Sequence, residues 1–297
     1  MGKKINPPKS NKSSPPKISI VIPSFNKAEY LGYTLESIVS QNYPNLEIII
    51  QDGGSQDGTI EIIKDYAERY HNFIHWTSQK DNGQLDAIKK GLQSAKGDIL
   101  AYINADDVYQ KGALHKVAEA YCSNTECLWI VGMGMHIDGR GEEISTFVSK
   151  YKNCLLNKNN YFFLLCLNYL MQPSVFITKK AYLMYGPFSG NSSFVLEYDL
   201  WLKIGKVQMP IIIDDVLAAF RITGDSITSS QSHQLLSENY RIVKAHTKNP
   251  LILLSQNFNN TGKLLTILLI RHRLWEKPIF HSVRVLLNKL TGPDDHF

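Results

Sequence analysis

Between Ile18 and Ile103 short apolar runs alternate with longer helical patterns, and that rhythm narrows the fold more than any other feature. Ile18–Pro23 is β-branched and closed by proline, and Leu46–Ile50 and Ile99–Ile103 read the same way. Runs of this length and composition form buried strands. Residues 28–40, 58–70 and 83–95 instead carry apolar side chains at helical spacing, such as Leu31, Leu35, Ile38 and Val39 in the first. With a further short strand expected at 73–76, the order is strand, helix, strand, helix. Parallel strands need such helical crossovers, so the expected fold is α/β, with a doubly wound, mostly parallel sheet flanked by helices.

Ligands of such sheets bind beyond the carboxyl ends of the strands. Three polar clusters stand there: Pro23-Ser24-Phe25-Asn26, Asp52-Gly53-Gly54-Ser55 and Asn104-Ala105-Asp106-Asp107. All three are expected to line one crevice. Asp106 and Asp107 could hold a hard divalent cation with phosphates completing its shell, or could be acids favoured by a helix start. Asp52 could accept a hydrogen bond from a base N–H, or could cap a glycine-rich turn whose glycines permit positive φ. Asp81-Asn82-Gly83-Gln84 precedes a helix whose N-terminus could attract phosphate, or is simply its cap.

After residue 110 the alternation weakens. Strands are expected at 129–132, 134–137 and toward Phe220, and a helix opens at Asp199. Residues 161–171 are apolar except for Asn168 and read as one buried or groove-lining helix.

Composition removes several function classes. The formal charge of +5 comes from the two ends, residues 1–17 and 241–297, while the middle is net acidic; a nucleic-acid partner is therefore not expected. No run approaches the roughly 20 apolar residues of a membrane span, and the Lys/Pro-rich start lacks the apolar core of a secretory signal. A cytoplasmic location is expected, with the inner membrane face open. Cys122, Cys127, Cys154 and Cys166 lack zinc-ligand spacing and read as free thiols. No GxGxxG follows the first strand, which argues against a dehydrogenase.

Taken in order, Ile18 to Asn26, Asp52-Gly53-Gly54-Ser55-x-Asp57-Gly58-Thr59, Asp81-x-Gly83-Gln84-x-Asp86-Ala87-Ile88 and Gly97 to Asp107 resemble glycosyltransferase family 2. Gln172-Pro173-Ser174-Val175-Phe176, Tyr198-Asp199-Leu200-Trp201-Leu202 and Leu217 to Arg221 continue the resemblance. It implies a GT-A fold and inverting transfer from a nucleotide diphosphate sugar, UDP favoured, with Mn²⁺ or Mg²⁺. It also implies a saccharide or lipid-linked saccharide acceptor, in cell-surface polysaccharide or glycolipid synthesis. A non-catalytic, sugar-nucleotide-binding or scaffold relative is the alternative.

By the same resemblance, Pro23, Phe25, Asn26, Asp52, Asp81, Gly83, Gln84, Asn104 and Asp106 serve the donor. Asp52 meets the base, Asp81 the nucleoside and Asp106 the ribose, and Asp107 reaches the metal, with Asp106 beside it. Arg221 pairs with phosphate, braces the base carboxylate or makes a structural salt bridge. Glu197 is the expected general base, where many relatives carry Asp, and Asp199 competes for the role. Thr223 stands where relatives often have His, a poor exchange for a metal ligand.

The implied organisation is a flexible basic tail (1–17), a catalytic domain (18–230; donor half 18–107, acceptor half 108–230) and a helical extension (231–297). Within the extension, Leu264 to Trp275 and Val283 to Leu290 are apolar and basic. They could pack on the domain, form a homo-oligomer or lie on an anionic membrane.

Overall fold

The computed structural model describes residues 14–188, 197–223 and 232–258. The tail before residue 14, the Gly224-Asp225-Ser226 loop and the two apolar segments beyond residue 263 lie outside the described residues.

Four parallel strands build the first half: β1 (Ile18–Ser24), β2 (Leu46–Asp52), β3 (Ile74–Ser78) and β4 (Ile99–Tyr102). Their crossovers are α1 (Ala28–Val39), α2 (Thr59–Arg69) and α3 (Gln84–Ser94). Each helix lies within a residue of its expected bounds at either end. The second half adds β5 (Val108–Tyr109), α4 (Ala113–Ser123), β6 (Trp129–Ile137), β7 (Glu143–Ile144), α5 (Thr146–Lys158), α6 (Tyr161–Leu167), β8 (Val175–Thr178), α7 (Lys179–Tyr185), α8 (Tyr198–Gly205) and β9 (Ile211–Arg221). The sheet order is β3-β2-β1-β4-β8-β6-β9-β5, with β7 on β6. Strand β8 enters antiparallel between β4 and β6, and the long β6–β9 ladder is parallel again.

The two faces of each strand sort the core. Ile20, Ile22, Ile48, Ile50 and Ile99 pack with Leu31, Leu35, Ile63 and Leu114 of α1, α2 and α4. Val21, Ile49, Leu100 and Tyr102 join α3, α6 and α8 on the other face. Burying one such side chain fully contributes roughly 1.5–3 kcal/mol, so a strand apolar on both faces is held in the middle layer.

One element departs from expectation. The helix read through 161–171 stops at Leu167, because Asn168 takes a left-handed conformation (φ 41°) and turns the chain. Its amide donates to Asn239 Oδ1 at 3.0 Å, on α9 (Ser232–His246). The described part of the extension, α9 and the helical residues 250–258, packs on the domain, with Val243 and Ile252 in the α6–α8 core. Among the described residues, no helix is long and apolar enough to cross a membrane.

Candidate active site

The parallel register brings the three polar clusters together. Ser24 on β1 stands opposite Asp52 on β2, and Ser78 on β3 stands beyond it. Asp52 is buried and accepts from four donors: Gly54 and Ser55 N–H at 2.9 Å, Ser55 Oγ at 2.5 Å and Ser78 Oγ at 2.7 Å. A carboxylate has about four lone-pair sites, so its work in this structure is to shape the turn. Asn26, at φ 51°, donates its N–H to Ser55 Oγ and accepts from Gln56 N–H, locking the first cluster to the second.

Phe25, Gly53 and Asp81 converge over that turn. A Cβ on Gly53 would stand 3.2 Å from Phe25 Cδ2 and 3.3 Å from Asp81 Oδ1. The Phe25 ring is 59% exposed, which leaves an aromatic face beside a carboxylate, a slot suited to a planar base. Asp81 also accepts from Gly83 N–H at 2.8 Å, and Gly83 meets the φ of 96° at the start of α3 without the side-chain penalty of other residues.

The third cluster separates its two acids. Asp107 is wholly buried and accepts from Arg221 N–H at 2.8 Å and Asn104 Nδ2 at 3.0 Å. Gln84 donates to Asn104 Oδ1 at 2.6 Å, extending the chain of contacts to α3. Burial, with Asp106 alongside, pushes the Asp107 carboxyl well above the usual range, against those hydrogen bonds. Asp106 keeps solvent contact and pairs with Lys27 Nζ at 2.6 Å. Of the two acids, Asp106 is therefore the one open to solvent. Lys27 went unread in the sequence; only the fold brings it to a carboxylate 79 residues away.

Among the described residues no three His, Cys, Asp or Glu side chains gather as a metal cage. Arg221 is buried, and its guanidinium donates to the backbone carbonyls of Asp106, Asp138 and Gly139. It lies 5.0 Å over the Tyr30 ring. Among the described residues it makes neither a salt bridge nor a contact with Glu197, and it ties β9 to the Asp106 loop.

Four residues before Asp106, a further cluster begins on Tyr102. Its hydroxyl donates to Glu197 Oε2 at 2.9 Å, and its carbonyl accepts from Gln172 Nε2 at 2.7 Å. Tyr102, Gln172, Phe188, Glu197 and Trp201 line a cavity of about 20 Å³, room for one water or hydroxyl. The Gln172 Oε1 atom is buried without a partner among the described residues. Burial raises the Glu197 carboxyl above its ordinary value, and the Tyr102 hydrogen bond and Lys152 oppose that rise. Asp199, two residues on, is engaged by His246 Nε2 and Lys203 Nζ, each at 2.7 Å.

A curled, mostly parallel α/β sheet with three polar clusters at its strand ends is the architecture of a GT-A glycosyltransferase fold. The family model of glycosyl transferase family 2 matches residues 19–176, more than half of the chain, and the chain belongs to that family. An uncharacterized glycosyltransferase of Nostoc sp. is 31% identical over 122 residues, covering 41% of this chain and 37% of the relative. TuaG of Bacillus subtilis, named for teichuronic acid biosynthesis, is 35% identical over 105 residues, covering 35% and 41%. The matched stretches thus span well under two thirds of these relatives. Among solved structures, a Pyrobaculum calidifontis mannosyltransferase in complex with GDP-Man and Mn²⁺ superposes with TM-score 0.60 at 16% identity, covering 90% of this chain and 82% of that one. S. aureus TarS in complex with UDP-GlcNAc gives TM-score 0.56 at 17% identity, covering 77% and 66%. These likenesses show the fold.

Proposed function

We propose that the chain is an inverting glycosyltransferase that moves a sugar from a nucleotide diphosphate sugar, UDP favoured, to a hydroxyl of a saccharide or lipid-linked saccharide. The observation that carries the reading is the single strand end that serves both halves: Tyr102 holds the buried Glu197, and Asp106 follows four residues later with its carboxylate within reach of solvent. A donor phosphate and an acceptor hydroxyl bound there would meet across one sugar.

In this reading Phe25 and Asp81 hold the nucleoside over Gly53, with Asp52 shaping the turn beneath. Asp106, now paired with Lys27, would hold a divalent cation. A bound Mn²⁺ or Mg²⁺ stabilises the charge left on the diphosphate as a Lewis acid. Asp107 keeps the loop anchored to β9 through Arg221 N–H. Glu197 takes the acceptor hydroxyl's proton on Oε, its basicity raised by burial and moderated by Tyr102. Gln172 Oε1 offers an acceptor for a sugar hydroxyl in the same cavity. Asp199, already held by His246 and Lys203, is the weaker candidate for the base. The bound donors of the two solved neighbours and the naming of TuaG support a nucleotide-sugar donor and a polysaccharide product.

A thermal-shift panel of UDP, GDP and dTDP sugars with and without Mn²⁺ tests the donor half, since a ligand at about 100 times its Kd stabilises by about 2.7 kcal/mol. A metal-dependent rise with one nucleotide class supports the reading, and no rise with any sinks it. Binding without turnover favours a non-catalytic sugar-nucleotide-binding relative.

A further inference from the structure

We infer that the C-terminal helices position the transfer base: His246 and Gln256 act through Asp199 and Tyr198 to fix the turn that carries Glu197. The inference rests on the proposed role of Glu197. Within α8 the turn has the Asp199–Lys203 pair, but Glu197, the N-cap, makes no side-chain cap bond of the kind that ordinarily secures a helix start. Instead its first three side chains run to three different elements. Glu197 meets Tyr102 of β4. Tyr198 is fully buried and donates its hydroxyl to the Leu164 carbonyl of α6 at 2.6 Å. Asp199 meets His246 at the end of α9.

Gln256 closes the arrangement. It is 1% exposed, and its Nε2 donates to the Leu165 carbonyl at 2.5 Å and to the Tyr198 hydroxyl oxygen at 3.3 Å. One side chain therefore pins both α6 and the first turn of α8. Asn239 binds Asn168 where α6 ends. Val243 and Ile252 sit in the same core as Tyr198, Leu200 and Trp201. Residues 232–258 are thus joined to the base-bearing turn through buried polar contacts that a surface appendage would lack. Among the described residues, the donor-side Asp52, Asp81 and Asp106 take part in none of these hydrogen bonds, and only Glu197 reaches β4, through Tyr102. Loosening the clamp is therefore expected to act on the proton acceptor and leave nucleotide binding alone.

The experiment uses the full chain with His246→Ala, Gln256→Ala and the double variant, together with His246→Gln, whose amide can still donate to Asp199. Because a misplacement of about 1 Å can cost about 10²-fold in rate, kcat is expected to fall about 10- to 100-fold in the Ala variants. The donor KM and the nucleotide-induced thermal shift are expected to stay unchanged, and His246→Gln should recover much of the rate. Hydrogen exchange, read without any substrate, should quicken at 197–202 and stay unchanged at 18–52. An unchanged kcat with unchanged exchange at 197–202 in the double variant overturns the inference, and so does a loss of rate matched by an equal loss of donor binding. If the parent chain turns over no donor, the role of Glu197 fails on its own. The exchange at 197–202 then still decides whether the clamp exists.

Discussion

Acidification from pH 7 to 4.5 is expected to weaken this fold through His136. The side chain lies on β6, 7% exposed, with Nδ1 2.8 Å from Ser149 Oγ and its ring edge-on to Phe220 at 6.1 Å. Burial, with Lys152 adding to it, pushes the imidazole from 6.5 down to about 4. A depressed folded-state pKa means the fold holds the neutral ring. The stability so gained is complete above pH 6.5 and is lost as pH falls toward 4. At 1.36 kcal/mol per pH unit the full effect is about 3 kcal/mol, of which roughly 2.5 kcal/mol is spent by pH 4.5. Asn at this position keeps an amide near the Nδ1 site and cannot titrate. Urea unfolding of the parent and His136→Asn chains at both pH values isolates the effect from the carboxylates that titrate in both. The parent should lose about 2–2.5 kcal/mol more than the variant on acidification. Equal losses would refute the reasoning, and would mean the ring is protonated in place or solvated.

The remaining predictions concern the site. Asp106→Asn should remove the Mn²⁺-dependent gain in nucleotide binding by calorimetry while the melting temperature holds. Asp107→Asn should instead turn an amide donor toward Arg221 N–H or Asn104 and cost about 1–3 kcal/mol of stability, read as a lower melting temperature. Tyr102→Phe removes the hydrogen bond that opposes the burial-driven rise of Glu197. The acid limb of the kcat/KM profile should therefore move to higher pH, and an unmoved limb would count against Glu197 as the base. Gly134→Ala would place a Cβ 2.8 Å from Met171 Cβ; overpacking of this kind costs about 1–3 kcal/mol. It should also reach the neighbouring Gln172 and lower transfer more than donor binding.

Much of the donor half was legible because strands apolar on both faces, such as Ile18–Ile22 and Leu46–Ile50, leave little else to form. The polar clusters beyond them could be located by the rule that ligands sit at carboxyl ends of strands. Geometry separated Asp106 from Asp107, since adjacent acids look alike in a sequence until one is buried against Arg221 and Asn104. The helices α4, α5 and α7 went unread: α5 buries only Ser149 and Leu156, too little to mark a face. Asn168 hid the end of α6, because one Asn in an apolar run does not announce the left-handed turn it takes, and its partner Asn239 lies 71 residues on. Lys27 and His246 escaped for the same reason: each gains its role from a carboxylate far along the chain.

One strand end is proposed to serve both a donor-side acid and an acceptor-side base, and Glu197→Gln separates the two. Nucleotide binding with Mn²⁺ and release of nucleoside diphosphate from the donor that binds are measured on the parent and variant chains under the same conditions. Equal binding is expected, with a fall in release of about 10²-fold or more, the scale of losing a positioned base. Release at the parent rate with binding intact would contradict it.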